Sequence, residues 1–193
     1  MSWELDIAKA FIMFFIIMDP FASMPVFVSV TRNFKELERQ RSADEAIMVA
    51  GGLVLVFLFS GSFILNLLRI SLQSFQIAGG VIIFVMGMEL VFGLTFFRQT
   101  TQNLRAAAVL IGTPLITGPG VITNTIILVN QLGIGVTLIA AMFALFANWL
   151  ILRESGRIQK ALGQNVIEVL SRIMGIMLVA IAIEYVREGF GIA

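Results

Sequence analysis

The stretch IIMDPFASMPVFVSV, residues 16 to 30, sets one carboxylate, Asp19, and two prolines, Pro20 and Pro25, inside a run that is otherwise hydrocarbon. A second stretch, GTPLITGPGVIT, repeats the proline spacing with Pro114 and Pro119 and surrounds them with Thr113, Thr117, Gly118, Gly120 and Thr123, with Asn124 directly after. Proline lacks the N–H of a helical ladder bond and clashes with the preceding turn. Two prolines five apart, with glycines beside the second pair, therefore predict local breaks that free backbone carbonyls and amides. A break ends one half-helix at its negative pole and starts the next at its positive pole. Asp19, with Ser23 nearby and carbonyls freed at the end of the first half-helix, could hold an ammonium group, a sodium ion or a transferable proton. It could equally cap the backbone amides freed at the break, and the two roles can coexist. The amides from Gly118 to Val121 could receive a carboxylate, since the glycines permit close approach. Pro25 and Pro119 fit the first turns of the second half-helices, where a missing N–H is harmless. One end that seeks a cation and another that seeks an anion suit a zwitterion.

The elements that must position these groups are membrane helices. Hydrophobic residues make up 59% of the 193 residues and mean hydropathy is +0.98, beyond what a soluble core of this size can hide. Charged residues, 13% of the chain, gather in short stretches between apolar blocks of roughly 20 residues, the length that crosses the hydrocarbon layer. Six spans are read: 7–30, 46–68, 71–95, 106–130, 133–152 and 166–187. No block alternates as a barrel strand does. The start, MSWELDIAKAF, has neither a basic leader nor a small-residue cleavage site, so the first block reads as part of the mature protein.

The connectors TRNFKELERQRSADE, FRQTTQNLR and RESGRIQK carry nine Lys and Arg residues, against three (Lys9, Arg69, Arg187) in the termini and other connectors. The positive-inside rule then places the basic loops in the cytoplasm and both termini outside. A net charge of +1, spread over connectors of mixed sign, gives no footing for nucleic acid. Cysteine and histidine are both absent, which removes disulfides, thiolate metal sites and the commonest proton shuttle, so proton chemistry falls to carboxylates. No metal site, resident cofactor or ATP-binding loop is expected.

The proline pairs lie 94 residues apart, and at an offset of 95 GGVIIFVMGMEL (79–90) aligns with MGIMLVAIAIEY (174–185), setting Gly80 on Gly175 and Glu89 on Glu184. The expected architecture is an all-α membrane protein: one transmembrane domain of six helices in two inverted three-helix repeats, 1–97 and 98–193, with helices 1 and 4 interrupted at mid-membrane. Glu89 and Glu184, near the ends of their spans, read as interfacial residues and remain candidates for ion coupling. Asn66, Gln73, Gln76 and Asn148 read as polar contacts between helices, and Gly79, Gly80, Gly87 and Gly175 as points of close helix approach.

At MDPFASMPVF and GTPLITGPGVIT, with IAGG and RIMG in the third and sixth spans, the chain resembles the MarC family of bacterial and archaeal membrane proteins over essentially its whole length. The resemblance implies an inner-membrane protein that moves glycine, alanine or similar neutral amino acids with a proton or sodium gradient. The function expected is thus a secondary transporter working by alternating access, its substrate held at the two breaks. The alternatives are a passive channel or exporter for a small polar solute and, ranked last, an intramembrane enzyme, which would have only carboxylates to work with. The partners expected are a small-molecule substrate and the lipid bilayer; the sequence leaves the oligomeric state open, a homo-oligomer included.

Overall fold

A left-handed residue divides the first apolar run. In the computed structural model, which describes residues 3–31, 33–93 and 118–192, helix α1 (Trp3–Met18) stops at Asp19 and α2 (Pro20–Val30) starts directly after it. Asp19 has φ 36° and ψ 75°, a conformation that disfavours most side chains by about 1–2 kcal/mol and that Asp tolerates through its short polar side chain. Pro20 takes the first turn of α2, where its missing N–H leaves no bond unmade. Pro25 lies inside α2 rather than at its start, so the expected register of the first break shifts by five residues. The reason is the cap: Asp19 satisfies the freed amides at once, and the new helix runs on through Pro25 with one ladder bond missing. The α1–α2 pair covers 28 residues, or ~42 Å at 1.5 Å per residue, and Asp19 falls near its middle.

Five candidate spans occur among the described residues: α1 with α2, α3 (Glu36–Leu67), α4 (Leu72–Phe92), α6 (Ile134–Arg153) and α8 (Gln164–Gly189). Of the expected span 106–130, the described part is α5 (Pro119–Leu132); Thr113, Pro114 and Thr117 lie outside the described residues. Helix α3 begins ten residues before its apolar block, because the polar connector is itself helical and capped, the Glu38 carboxylate accepting the Lys35 N–H at 2.9 Å. The basic connector after α6 holds a further short helix, α7 (Ser155–Leu162). Gly133, at φ 83°, is the single residue between α5 and α6, a conformation that suits glycine.

Helix α5 is the centre. Gly120, Val121 and every residue from Thr123 to Leu128 are buried, so no face of that segment is left for lipid. It packs on α1, α3, α4 and α6, while α4 lies along α8 and α6 lies against both α1 and α3. The α4–α8 contact is antiparallel: Gly80 meets the Ala182 carbonyl, and Gly87 meets that of Gly175. Outward-facing positions such as Phe59, Phe63, Phe143, Phe146, Ile176 and Ile183 are apolar and more than half exposed. On a soluble protein that surface would aggregate; on a membrane protein it is the face that lipid covers.

Candidate functional site at the first break

Asp19 is 5% exposed, and its carboxylate is half used. Oδ1 accepts the Ala22 N–H at 3.2 Å, the N-cap bond of α2, whereas Oδ2 has no hydrogen-bond partner among the described residues. The backbone carbonyl of Asp19 takes two donors, the Ser23 hydroxyl at 3.0 Å and the Ser23 N–H at 3.2 Å. Ser23 thereby serves the start of α2 and is itself buried. The break thus gathers a carboxylate, the negative end of a 16-residue helix and the positive end of an 11-residue one into a few ångströms of buried chain.

The start of α5 adjoins this junction. Gly118 precedes the helix, Pro119, which has no N–H, occupies its first turn, the Val121 N–H donates to the Gly118 carbonyl at 2.9 Å, and among the described residues no side chain caps the start of the helix. A Cβ placed on Gly120 would lie 3.2 Å from Ile83 Cγ1, 3.3 Å from Ile17 Cγ2 and 3.4 Å from Met86 Sδ, so the backbone of α5 is pressed against α4 and against the last turn of α1. One turn on, Thr123 packs so tightly on Gly79 of α4 that its methyl group leaves no room for a Cβ there. Asn124 is fully buried; its Oδ1 accepts a hydrogen bond from the Tyr185 hydroxyl of α8, and its Nδ2 has no partner among the described residues. Asp19, Pro20 and Ser23 are thus neighbours at the first break, and the start of α5 meets the last turn of α1 there through Gly120 and Ile17; Thr123 and Asn124 are turned instead to Gly79 of α4 and Tyr185 of α8. Pro25 is half-buried, six residues beyond Asp19.

The two glutamates stand apart in role. Glu184 pairs with Arg187 of its own helix at 2.7 Å with both side chains about half exposed, the geometry of an interfacial pair. Glu89 is half-buried near the end of α4, one turn past Met86. Among the described residues no three carboxylates gather to hold a metal ion.

Three other polar arrangements surround this frame. Asn148 of α6 reaches the Met18 sulfur at 3.5 Å. Glu188 of α8 accepts from Gln76 of α4 at 3.0 Å and from Gln131 of α5 at 2.8 Å. Asp44 of α3 accepts the Trp149 indole N–H at 2.6 Å, and Arg153 lies 5.0 Å over the Trp149 ring. Sequence reasoning passed over Tyr185 and Glu188 because both sit at the end of an apolar span, where interfacial residues are the ordinary expectation. Their only signal was that Tyr185 is the sole tyrosine of the chain.

Residues 5–192 match the family described as MarC family integral membrane protein. The chain belongs to the MarC family. Among MarC-type relatives, a UPF0056 membrane protein of Aquifex aeolicus is 31% identical over 193 residues, covering 94% of this chain and 90% of its own. The UPF0056 membrane protein MJ1677 of Methanocaldococcus jannaschii is 29% identical, with 93% of each chain covered. The UPF0056 inner membrane protein YhgN of Escherichia coli K12 is 28% identical, with 95% of each covered. No solved structure matches the chain. This MarC protein is therefore an integral membrane protein, all-helical in its described residues.

Proposed function

We propose that the chain is a secondary transporter of small neutral amino acids of the glycine and alanine class, working by alternating access and coupled to protons or sodium. The observation that carries this reading is the break at Asp19: a buried carboxylate whose Oδ2 has no partner among the described residues, with the start of α5 close by, where Gly120 meets Ile17 of the last turn of α1. The ammonium group is read to lie at Asp19, and the carboxylate at the amides of α5 with Ser23, Thr123 and Asn124 around it. Thr113, Pro114 and Thr117 would complete the second break. Glu89 and Glu184 remain candidates for ion coupling with Asp19; the ion pair of Glu184 makes it the weaker of the two.

The two-repeat reading, 1–97 and 98–193, draws support from the pairing of helices. Exchanging α2 with α5, α3 with α6 and α4 with α8 turns the α2–α6 contact into α5–α3 and α2–α8 into α5–α4, and all four occur. The antiparallel register of α4 and α8 is what halves of three spans require, since an odd number of spans inverts the second half. Each interrupted helix thus leans on the partner half, and rocking of one half would carry the site from one face to the other. The inner membrane is the location that the name of the E. coli relative suggests, with both termini outside by the charge of the loops.

Counterflow in proteoliposomes tests the reading. Preloaded unlabelled glycine or alanine should accelerate entry of the labelled amino acid, and a sodium or proton gradient should drive its accumulation. Simple leak without exchange would establish a channel instead.

A further inference from the structure

Asn148 of α6 has no exposed surface, and the two ends of its amide meet different company. Nδ2 donates to the Ala144 carbonyl at 2.9 Å, one turn back on the same helix, and to Met18 Sδ at 3.5 Å. Both partners are acceptors only. The orientation of the amide is therefore fixed, because turned over it would set its oxygen against a carbonyl oxygen and a thioether. Oδ1 points away from both and has no hydrogen-bond partner among the described residues.

This is poor glue between helices. Its one link to α1 is a bond to sulfur, a weak acceptor, and the end best able to bind another helix is left unused. Buried polar atoms without partners are rare enough in folded proteins to call for a role. Met18, which Asn148 touches, immediately precedes Asp19, whose Oδ2 is likewise unpartnered. Met18 thus links the two residues: its sulfur touches Asn148, and the next residue in the chain, at the negative end of α1, is Asp19. What complements such a place is a small cation, either an ammonium group with several N–H donors or a bare alkali ion that takes oxygen ligands.

We propose that Asn148 is a second ligand-binding residue of the first break, its Oδ1 and Asp19 Oδ2 together receiving one small cation. The cation is the ammonium group of an amino acid, which rests on the transporter reading above, or sodium, which does not. Asn148 then sets which cations fit: the carbonyl accepts a primary ammonium and has nothing to offer a cation without N–H groups that is too large to reach it.

The test is thermal unfolding of the full chain in detergent, titrated with glycine, with alanine, and with sodium chloride against choline chloride at equal ionic strength. The wild-type protein should melt higher with an amino acid, with sodium or with both. Asn148→Leu, of similar volume, should melt no lower than wild type without ligand, since it removes an unpartnered acceptor and only weak bonds. It should nevertheless need about tenfold more ligand, or more, for the same shift, the factor that one hydrogen bond to a charged group carries. Asn148→Ala should show the same loss and serves if leucine is not accommodated. A wild-type ligand response in both variants overturns the proposal, as does a wild-type protein that responds to none of the three ligands. If the amino acids stabilise wild type and variants alike, the transporter reading stands and this site falls. If sodium alone stabilises the wild type and the variants lose that response, the site stands and the amino-acid reading falls.

Discussion

Gly87 of α4 and Gly175 of α8 approach so closely that a Cβ built on either would stand 2.9 Å from the carbonyl oxygen of the other. The same closeness recurs one and two heptads toward the start of α4, Gly80 against the Ala182 carbonyl and Gly189 against that of Gln73, both at 2.8 Å. Apolar side chains gain little by pairing in lipid, which is as apolar as they are, so helices there are held by close packing at small residues. Valine at Gly87 or at Gly175 should accordingly force the pair apart and destabilise it by about 1–3 kcal/mol. Melting in detergent reads the effect, and Gly52→Val is the control, because nothing lies within 4 Å of a Cβ there. Equal losses at all three positions would remove the close approach as the cause.

Asp19 does two jobs that substitution can separate. Asparagine caps helices about as well as aspartate and also tolerates the left-handed backbone, while glycine keeps the backbone and gives up only a few tenths of a kcal/mol of capping. Asp19→Asn and Asp19→Gly should therefore both fold and reach the membrane with melting points near wild type. Neither should support driven uptake, because both lose the charge. Full activity with normal ion coupling in Asp19→Asn would reduce Asp19 to a cap.

How much of this was legible beforehand depends on the physical signal each feature leaves. Five of the six spans were readable because a bilayer imposes one length and one polarity, residues 106–117 of the fourth lying outside the described residues, and the first break because an aspartate and two prolines contradict both. The register of that break was not: both prolines suit a first turn, and only the cap made by Asp19 on Ala22 decides for Pro20. The extension of α3 was hidden because hydropathy marks where lipid ends, whereas capping by Glu38 marks where the helix ends. Asn148 was visible as a polar residue in an apolar span. That its oxygen is left without a partner depends on Met18 and Ala144 lying beside its nitrogen, and no pattern within one helix reveals that.

Gly120 gives a graded prediction. The contacts of 3.2–3.4 Å around its hypothetical Cβ are tight but are made by flexible side chains of Ile83, Ile17 and Met86. Gly120→Ala should be accommodated by shifts of a few tenths of an ångström, with the melting point little changed. Gly120→Val adds two methyl groups at the start of α5 and should abolish the ligand-induced shift of the melting point. Unchanged amino-acid affinity in Gly120→Val would take the start of α5 out of the binding site.

The central helix is also clasped by α4 and α8 through side-chain hydrogen bonds. One carboxylate oxygen of Glu188 accepts from Gln76 of α4 and from Gln131 of α5, and Tyr185, one turn earlier on α8, donates to Asn124 of α5. The two glutamines are not equivalent: Gln76 is 5% exposed, while Gln131 faces outward. Removing the acceptor strands a buried amide in one case and hands an exposed amide to water in the other. Glu188→Ala should thus lower stability by about 1–3 kcal/mol, the desolvation penalty of the Gln76 amide. Gln76→Ala should lower it less, since it takes the buried donor away along with its bond. In double-mutant cycles the Gln76–Glu188 coupling should exceed the Gln131–Glu188 coupling, with the latter near the few tenths of a kcal/mol expected of exposed polar pairs. Chemical denaturation of the three single and two double variants measures both couplings. The reverse order would mean that the clasp is set by charge at the surface and not by the burial of Gln76.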